Sequence, residues 1–196
     1  MTDQPVQTDI EDVIEQKAQE NWAVFDTETT GLVNAASTDL KAQPYVIEFA
    51  GVIINPTGDV IHEYESLFKP PIPIPEIITK ITGITDAKLE GAGVFDAGAV
   101  SEFFKHSGAS ACVAHNVTFD RAMLSFEFAR ADRSLELPRA LCTVEATSYV
   151  YGRRMKLAQL YRWLFNEDFV GAHRAMNDVK ALARCVAELR KREILR

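Results

Sequence analysis

Residues 22–31 read Trp-Ala-Val-Phe-Asp-Thr-Glu-Thr-Thr-Gly, and this stretch decides how the rest of the chain is arranged. The run Trp22 to Phe25 reads as a buried strand, because a short unbroken apolar stretch suits a strand covered on both faces. Thr29-Thr30-Gly31 breaks it. Side chains two apart on a strand point to the same side. Asp26 and Glu28 therefore project together from the strand's C-terminal end, where open α/β sheets place their ligands. Two neighbouring carboxylates repel unless a proton or a cation lies between them. Taken alone, the pair also fits two solvated acids at a strand end.

Working outward, Asn34 to Gln43 is small and polar and reads as a loop. Tyr45 to Ile54 (YVIEFAGVII) is rich in β-branched and aromatic residues, Asn55-Pro56-Thr57-Gly58 is a turn signal, and Val60 to Phe68 returns as a third strand. Residues 70–75 (PPIPIP) form a stiff extended connector. Helices are predicted over Ala97 to His106, Phe119 to Arg130, Val144 to Tyr151, Leu157 to Leu164 and Asp178 to Leu195, with a short apolar strand at Ala109 to Ala114. The last helix carries Val179, Leu182, Val186 and Leu189 as its inner stripe. An antiparallel meander followed by alternating helices and strands implies an α/β fold, a mixed sheet with helices on both faces. Residues 1–20 read as an N-terminal extension, helical or disordered, with Ile10, Val13, Ile14 and Ala18 near helical spacing. Residues 21–196 read as one compact domain.

The bulk composition excludes several classes. Apolar residues make up 47% and charged residues 25%, ordinary values for a globular protein. Nothing approaches the 18 or so uninterrupted apolar residues of a membrane span, and Met1 to Glu20 lacks the pattern of a secretory signal. A cytoplasmic location with no membrane partner is the expectation. Cys112, Cys142 and Cys185 are odd in number and widely spaced, which argues against a disulfide framework or a zinc site and for buried small hydrophobes. The net charge of −7 counts against a protein that holds a polyanion by charge alone. The objection weakens where several acids are cation ligands.

Two further stretches carry chemistry. In His115-Asn116-Val117-Thr118-Phe119-Asp120 a strand hands over to a helix, placing Asp120 in the first turn, where the positive dipole end favours an anion. Asn116 also fits a plain turn residue. In His173-Arg174-Ala175-Met176-Asn177-Asp178 the five-residue spacing corresponds to roughly 140° of helical rotation. His173 and Asp178 cannot share a helix face, so His173 is expected on the preceding loop and Asp178 in the helix's first turns. A solvated surface histidine is the alternative.

These three motifs, DTETTGL at 26–32, HNxxFD at 115–120 and HxAxxD at 173–178, resemble in order and spacing the DnaQ-like exonucleases of the DEDDh type, and the resemblance extends over roughly residues 22–190. It implies a ribonuclease H-like fold and a 3′→5′ exonuclease that releases nucleoside 5′-monophosphates. It implies that Asp26, Glu28, Asp120 and Asp178 hold two divalent cations and that His173 is the general base. All-oxygen ligands suit Mg²⁺ or Mn²⁺, and an imidazole titrates close to neutrality, as a general base requires. By the same similarity, Thr29, Thr30, Gly31 and Leu32 hold and wedge the terminal nucleotide, with Thr82, Asn116 and Phe119 as further substrate contacts. Thr82 departs from relatives that carry His in this segment. The implied partner is a single-stranded or frayed nucleic-acid 3′ end, DNA favoured, with a polymerase or repair complex as a candidate assembly. An exoribonuclease of RNA-processing type and an inactive binding or regulatory module of the same fold are the alternatives. The oligomeric state is not legible.

Overall fold

The computed structural model of the chain describes residues 20–169, 171 and 173–196; the extension expected over residues 1–20 therefore lies outside the described residues except for Glu20. Its centre is a five-stranded sheet in the order β3-β2-β1-β4-β5. The strands are β1 (Trp22–Thr29), β2 (Val46–Ile54), β3 (Val60–Leu67), β4 (Ala111–Ala114) and β5 (Arg139–Cys142). β1, β2 and β3 pair antiparallel, whereas β4 and β5 continue the sheet parallel to β1. The helices are α1 (Glu76–Thr82), α2 (Ala97–Lys105), α3 (Val117–Arg130), α4 (Thr143–Tyr151), α5 (Leu157–Phe165) and α6 (Ala175–Lys191). Among the described residues no helix is long and apolar enough to cross a membrane.

Strand alternation sorts the core into two layers. Trp22, Val24, Ala50, Val52, Ile54, Ala111 and Val113 face α5 and α6, where Leu160, Val179, Leu182, Val186 and Leu189 complete the layer. Ala23, Phe25, Phe49, Ile53, Cys112 and Ala114 face α2 and α3. On that second face Phe25, Phe49, Phe103 and Phe104 interlock, with Phe25 and Phe104 ring centroids 5.1 Å apart and perpendicular. Truncating a buried phenylalanine such as Phe49 costs about 3–5 kcal/mol. Gly51 makes the packing possible, because a Cβ there would sit 2.3 Å from the Phe103 ring. All three cysteines are buried and unbridged, as their spacing predicts.

The structure differs from the expectation in two elements that were not predicted and in several element ends, among them α6, which stops at Lys191 rather than Leu195. No element is predicted over Glu76 to Thr82 (EIITKIT), the segment of α1, which is rich in β-branched residues that favour strands. It is held instead by its ends: Gly83 closes it at φ 69° with its N–H on Thr79, and the Thr79 hydroxyl donates to the Ile84 carbonyl. β5 was not read at all, because four residues at a sheet edge carry too little alternation. α6 begins at Ala175, three residues before the expected Asp178, because the Glu48 carboxylate accepts the Ala175 N–H at 3.1 Å.

Candidate active site

β1 and β2 pair so that Asp26 lies opposite Ala50 and Glu28 opposite Glu48. Ala50 belongs to the layer beneath α6, so Asp26, Glu28 and Glu48 all project toward the N-terminal end of that helix. A register shift follows Glu28, after which Thr29 pairs with Val46. Asp120 arrives from the first turn of α3. Thr27 fixes it, donating its hydroxyl at 2.7 Å and its backbone N–H at 3.2 Å to the same carboxylate oxygen. Asp178 arrives from the first turn of α6 and accepts the His173 N–H at 2.8 Å. His173 is exposed on the loop before α6, in the left-handed region at φ 68°. Glu28, His173 and Asp178 each bring one ligand atom within 4.8 Å of the others.

The electrostatics of this corner are unfavourable as it stands. Burial, reinforced by Asp120, Glu28, Asp178 and Glu48, holds the Asp26 carboxyl well above the usual carboxylate range. Burial, then Asp178, Glu48 and Asp120, pushes Glu28 up to about 8, with only Arg174 pulling it down. Burial pushes Asp120 up to about 7 despite the two Thr27 donors. Asp178 is likewise raised by burial, against the His173 N–H and the His173 side chain. Four carboxylates crowded in low dielectric keep one another from ionising, and a divalent cation among them removes that cost.

Sequence reasoning missed Glu48. It is fully buried, forked by Arg174 with Nη2 at 2.8 Å, and caps the α6 N-terminus. The visible signal was a lone acid inside the apolar run YVIEFAGVII: a charge there must be paired. Its charge is spent on Arg174, which distinguishes it from the four acids above.

The other predicted residues divide. Thr29 donates its hydroxyl to the Gly31 carbonyl, and Thr30 accepts the Tyr45 N–H on its hydroxyl while its own N–H donates to the Tyr45 carbonyl at 2.9 Å, so these groups shape the turn. A Cβ on Gly31 would meet nothing within 4 Å, and Leu32 stands 82% exposed beside that open space. Phe119 is half-buried against the α2–α3 layer. Asn116 adopts φ 78°, makes no helix cap with its side chain, and offers its amide oxygen to Arg154 at 3.4 Å. Thr82 is buried, its hydroxyl donating to the Ile78 carbonyl and accepting the Ile84 N–H, so both its bonding capacities are used within its own helix end.

The RNase_T family, described as exonuclease, matches residues 23–186. A putative bifunctional exonuclease/endonuclease protein of Mycobacterium tuberculosis is 34% identical over 82% of this chain and 25% of its own length. The PolC-type DNA polymerase III of Bacillus subtilis is 30% identical over 88% of this chain and 12% of its own length. The chain thus spans a quarter or less of these relatives. The nuclease domain of 3′hExo, a DEDDh family member bound to rAMP, superposes with a TM-score of 0.74 at 17% identity, covering 91% of this chain and 96% of that one. At that identity the likeness establishes the fold, a ribonuclease H-like mixed sheet.

Proposed function

The chain belongs to the RNase_T exonuclease family, of the DnaQ-like DEDDh type, and from that premise we propose that it is a divalent-cation-dependent 3′→5′ exonuclease releasing nucleoside 5′-monophosphates, with DNA the favoured substrate. One observation carries the reading: acids from β1, α3 and α6, far apart in sequence, crowd into one corner beside an exposed histidine.

The donor set fits hard divalent cations. It is all carboxylate oxygen, it contains no cysteine, and the nearby Arg174 pairs with Glu48. Asp26, Glu28, Asp120 and Asp178 would hold two such ions, Mg²⁺ or Mn²⁺. Bound there, they would offset the charge of the phosphodiester and make water acidic enough to attack at neutral pH. His173 takes the proton of the attacking water as its oxygen bonds to phosphorus. The bond from phosphorus to the 3′ oxygen of the penultimate nucleotide breaks, that oxygen takes up a proton, and the terminal nucleotide leaves. The Asp178 bond to the His173 N–H ties the base to the helix that carries a ligand. By the family resemblance, Leu32 would wedge the terminal base from its neighbour and the turn from Thr29 to Gly31 would hold its sugar.

The names of the polymerase relatives support the DNA preference and a replication or repair assembly as partner. The test is digestion of matched 5′-labelled single-stranded DNA and RNA with Mg²⁺, Mn²⁺ or chelator. A ladder shortening from the 3′ end with a cation and none with chelator is expected. Faster loss of RNA would overturn the DNA preference, and no cleavage of either would make the chain a binding module.

A further inference from the structure

We propose that residues 152–156, Gly-Arg-Arg-Met-Lys, form a rigid rail for the sugar-phosphate backbone of a single strand upstream of its terminal nucleotide. The inference rests on the exonuclease reading above and adds a substrate-binding surface to it.

The loop carries Arg153, Arg154 and Lys156, all exposed. Most other arginines are neutralised: Arg130, Arg162, Arg174, Arg184, Arg192 and Arg196 each lie in an ion pair. Among the described residues neither Arg153, Arg154 nor Lys156 faces a carboxylate at ion-pair distance, and Arg154 meets only the Asn116 amide oxygen. In a chain of net charge −7 three adjacent unpaired cations stand out.

The loop is also fixed, which solvated charges do not require. Gly152 closes α4 at φ 69°, its N–H on the Ser148 carbonyl at 2.9 Å. The Met155 side chain is buried in the core layer beneath α6. The Met155 carbonyl can only accept, so it takes the His115 Nε2–H at 3.0 Å, and Thr143 donates to Nδ1 at 2.9 Å. The first residue of the HNxxFD motif is thus a clasp, holding the rail against the turn that presents Asp120. One turn before the rail, Tyr149 stands 92% exposed. Unpaired cations beside a bare aromatic ring match a single-strand surface, where charge tracks phosphates and rings stack on bases.

The full chain and the variant Arg153→Ala/Arg154→Ala/Lys156→Ala are assayed on two substrates: a 20-nucleotide single strand, as DNA and as RNA, and the p-nitrophenyl ester of thymidine 5′-monophosphate, too short to reach the rail. The ratio of the two kcat/KM values is expected to fall at least tenfold in the variant. Binding of the labelled 20-mer in Ca²⁺ is expected to lose about 2 from its log–log salt slope, at roughly 0.7 per single-strand phosphate contact. Arg153→Lys/Arg154→Lys should restore most of the slope. Tyr149→Ala should weaken binding roughly tenfold with the slope unchanged. Lys80→Ala, whose lysine pairs with Glu76, is the control. An unchanged ratio and slope in the triple variant overturn the rail while leaving the exonuclease reading intact. A wild type inert on both substrates overturns the exonuclease reading, and the salt slope then still decides whether the rail binds nucleic acid.

Discussion

The two ends of β1 treat carboxylates in opposite ways. Beyond its N-terminal end, the β2–β3 turn holds Asp59, whose carboxylate accepts the Thr57 hydroxyl at 2.6 Å and the Asn55 amide at 3.2 Å. Those bonds hold Asp59 below the usual range. At the C-terminal end, Asp26 and Glu28 are pushed up, first by burial and then by the other acids they face. A carboxylate surrounded by neutral donors is complete within the fold. A cluster surrounded by its own kind is complete only with a proton or a cation from outside. Burial alone does not make the difference: Glu127 is also buried and raised, yet it is spoken for by the Val46 N–H and by Arg130.

The strongest way to break this contrast is Asp26→Asn. Activity should fall roughly 10³-fold, the equivalent of several kcal/mol of lost charge stabilisation. In chelator at neutral pH the same variant should melt higher than wild type, since it removes a buried carboxyl that must take up a proton on folding. Mg²⁺ should raise the wild-type Tm and leave the variant's nearly unmoved. A wild-type Tm indifferent to 10 mM Mg²⁺ and Mn²⁺ would sink the cation reading without any activity assay.

His173→Ala separates proton transfer from cation holding at the same end. Activity should drop by about 10²–10⁴-fold, the usual worth of general-base help, while the cation-induced rise in Tm survives. Loss of that rise would make His173 a ligand, as its place among the three clustered groups also permits.

How much of this was legible follows from period and locality. The β1–β2–β3 meander could be read because its strands are rich in apolar and β-branched residues and the β2–β3 turn carries local turn chemistry. Asp26, Glu28, Asp120 and Asp178 could be named because each stands at a boundary between elements with a motif around it. Glu48 could not, because its role depends on register: only the pairing of Glu28 with Glu48 puts it beside the cluster, and only Arg174, 126 residues away, neutralises it. His115 was legible as a motif residue but not as a clasp, since its partners Thr143 and Met155 come from later elements. β5 and α1 were lost to brevity.

At the quiet end, Gly58→Ala probes stability without chemistry. Gly58 sits at φ 93°, and a Cβ there would lie 2.5 Å from the Ala187 Cβ on α6. The strain and the clash should cost about 1–3 kcal/mol, a fall in Tm of roughly 2–4 °C per kcal/mol for a chain of this size. The ratio of activity with and without cation should not change. A loss of activity larger than the loss of folded protein would show that the two ends are coupled through α6, which packs over both.

The smallest effect is the most diagnostic of sign. In chelator, Glu28 moves from an ordinary 4.5 to about 8 and Asp120 from 3.8 to about 7 in the folded state. Between those values the native protein binds more protons than the unfolded chain, so stability falls as pH rises through the window. Melting from pH 5 to pH 8 should therefore show a declining Tm in chelator, and Mg²⁺ should flatten or reverse the decline. Asp59 works the other way. Its folded value is lowered, so its contribution is present above the ordinary carboxylate range and is lost as pH falls through the folded value. Asp59→Asn should leave the neutral decline untouched and reduce Tm slightly, with the difference from wild type vanishing in strong acid. If Asp59→Asn altered the slope between pH 5 and pH 8, the decline would not belong to the acid cluster, because the turn residue titrates well below that range.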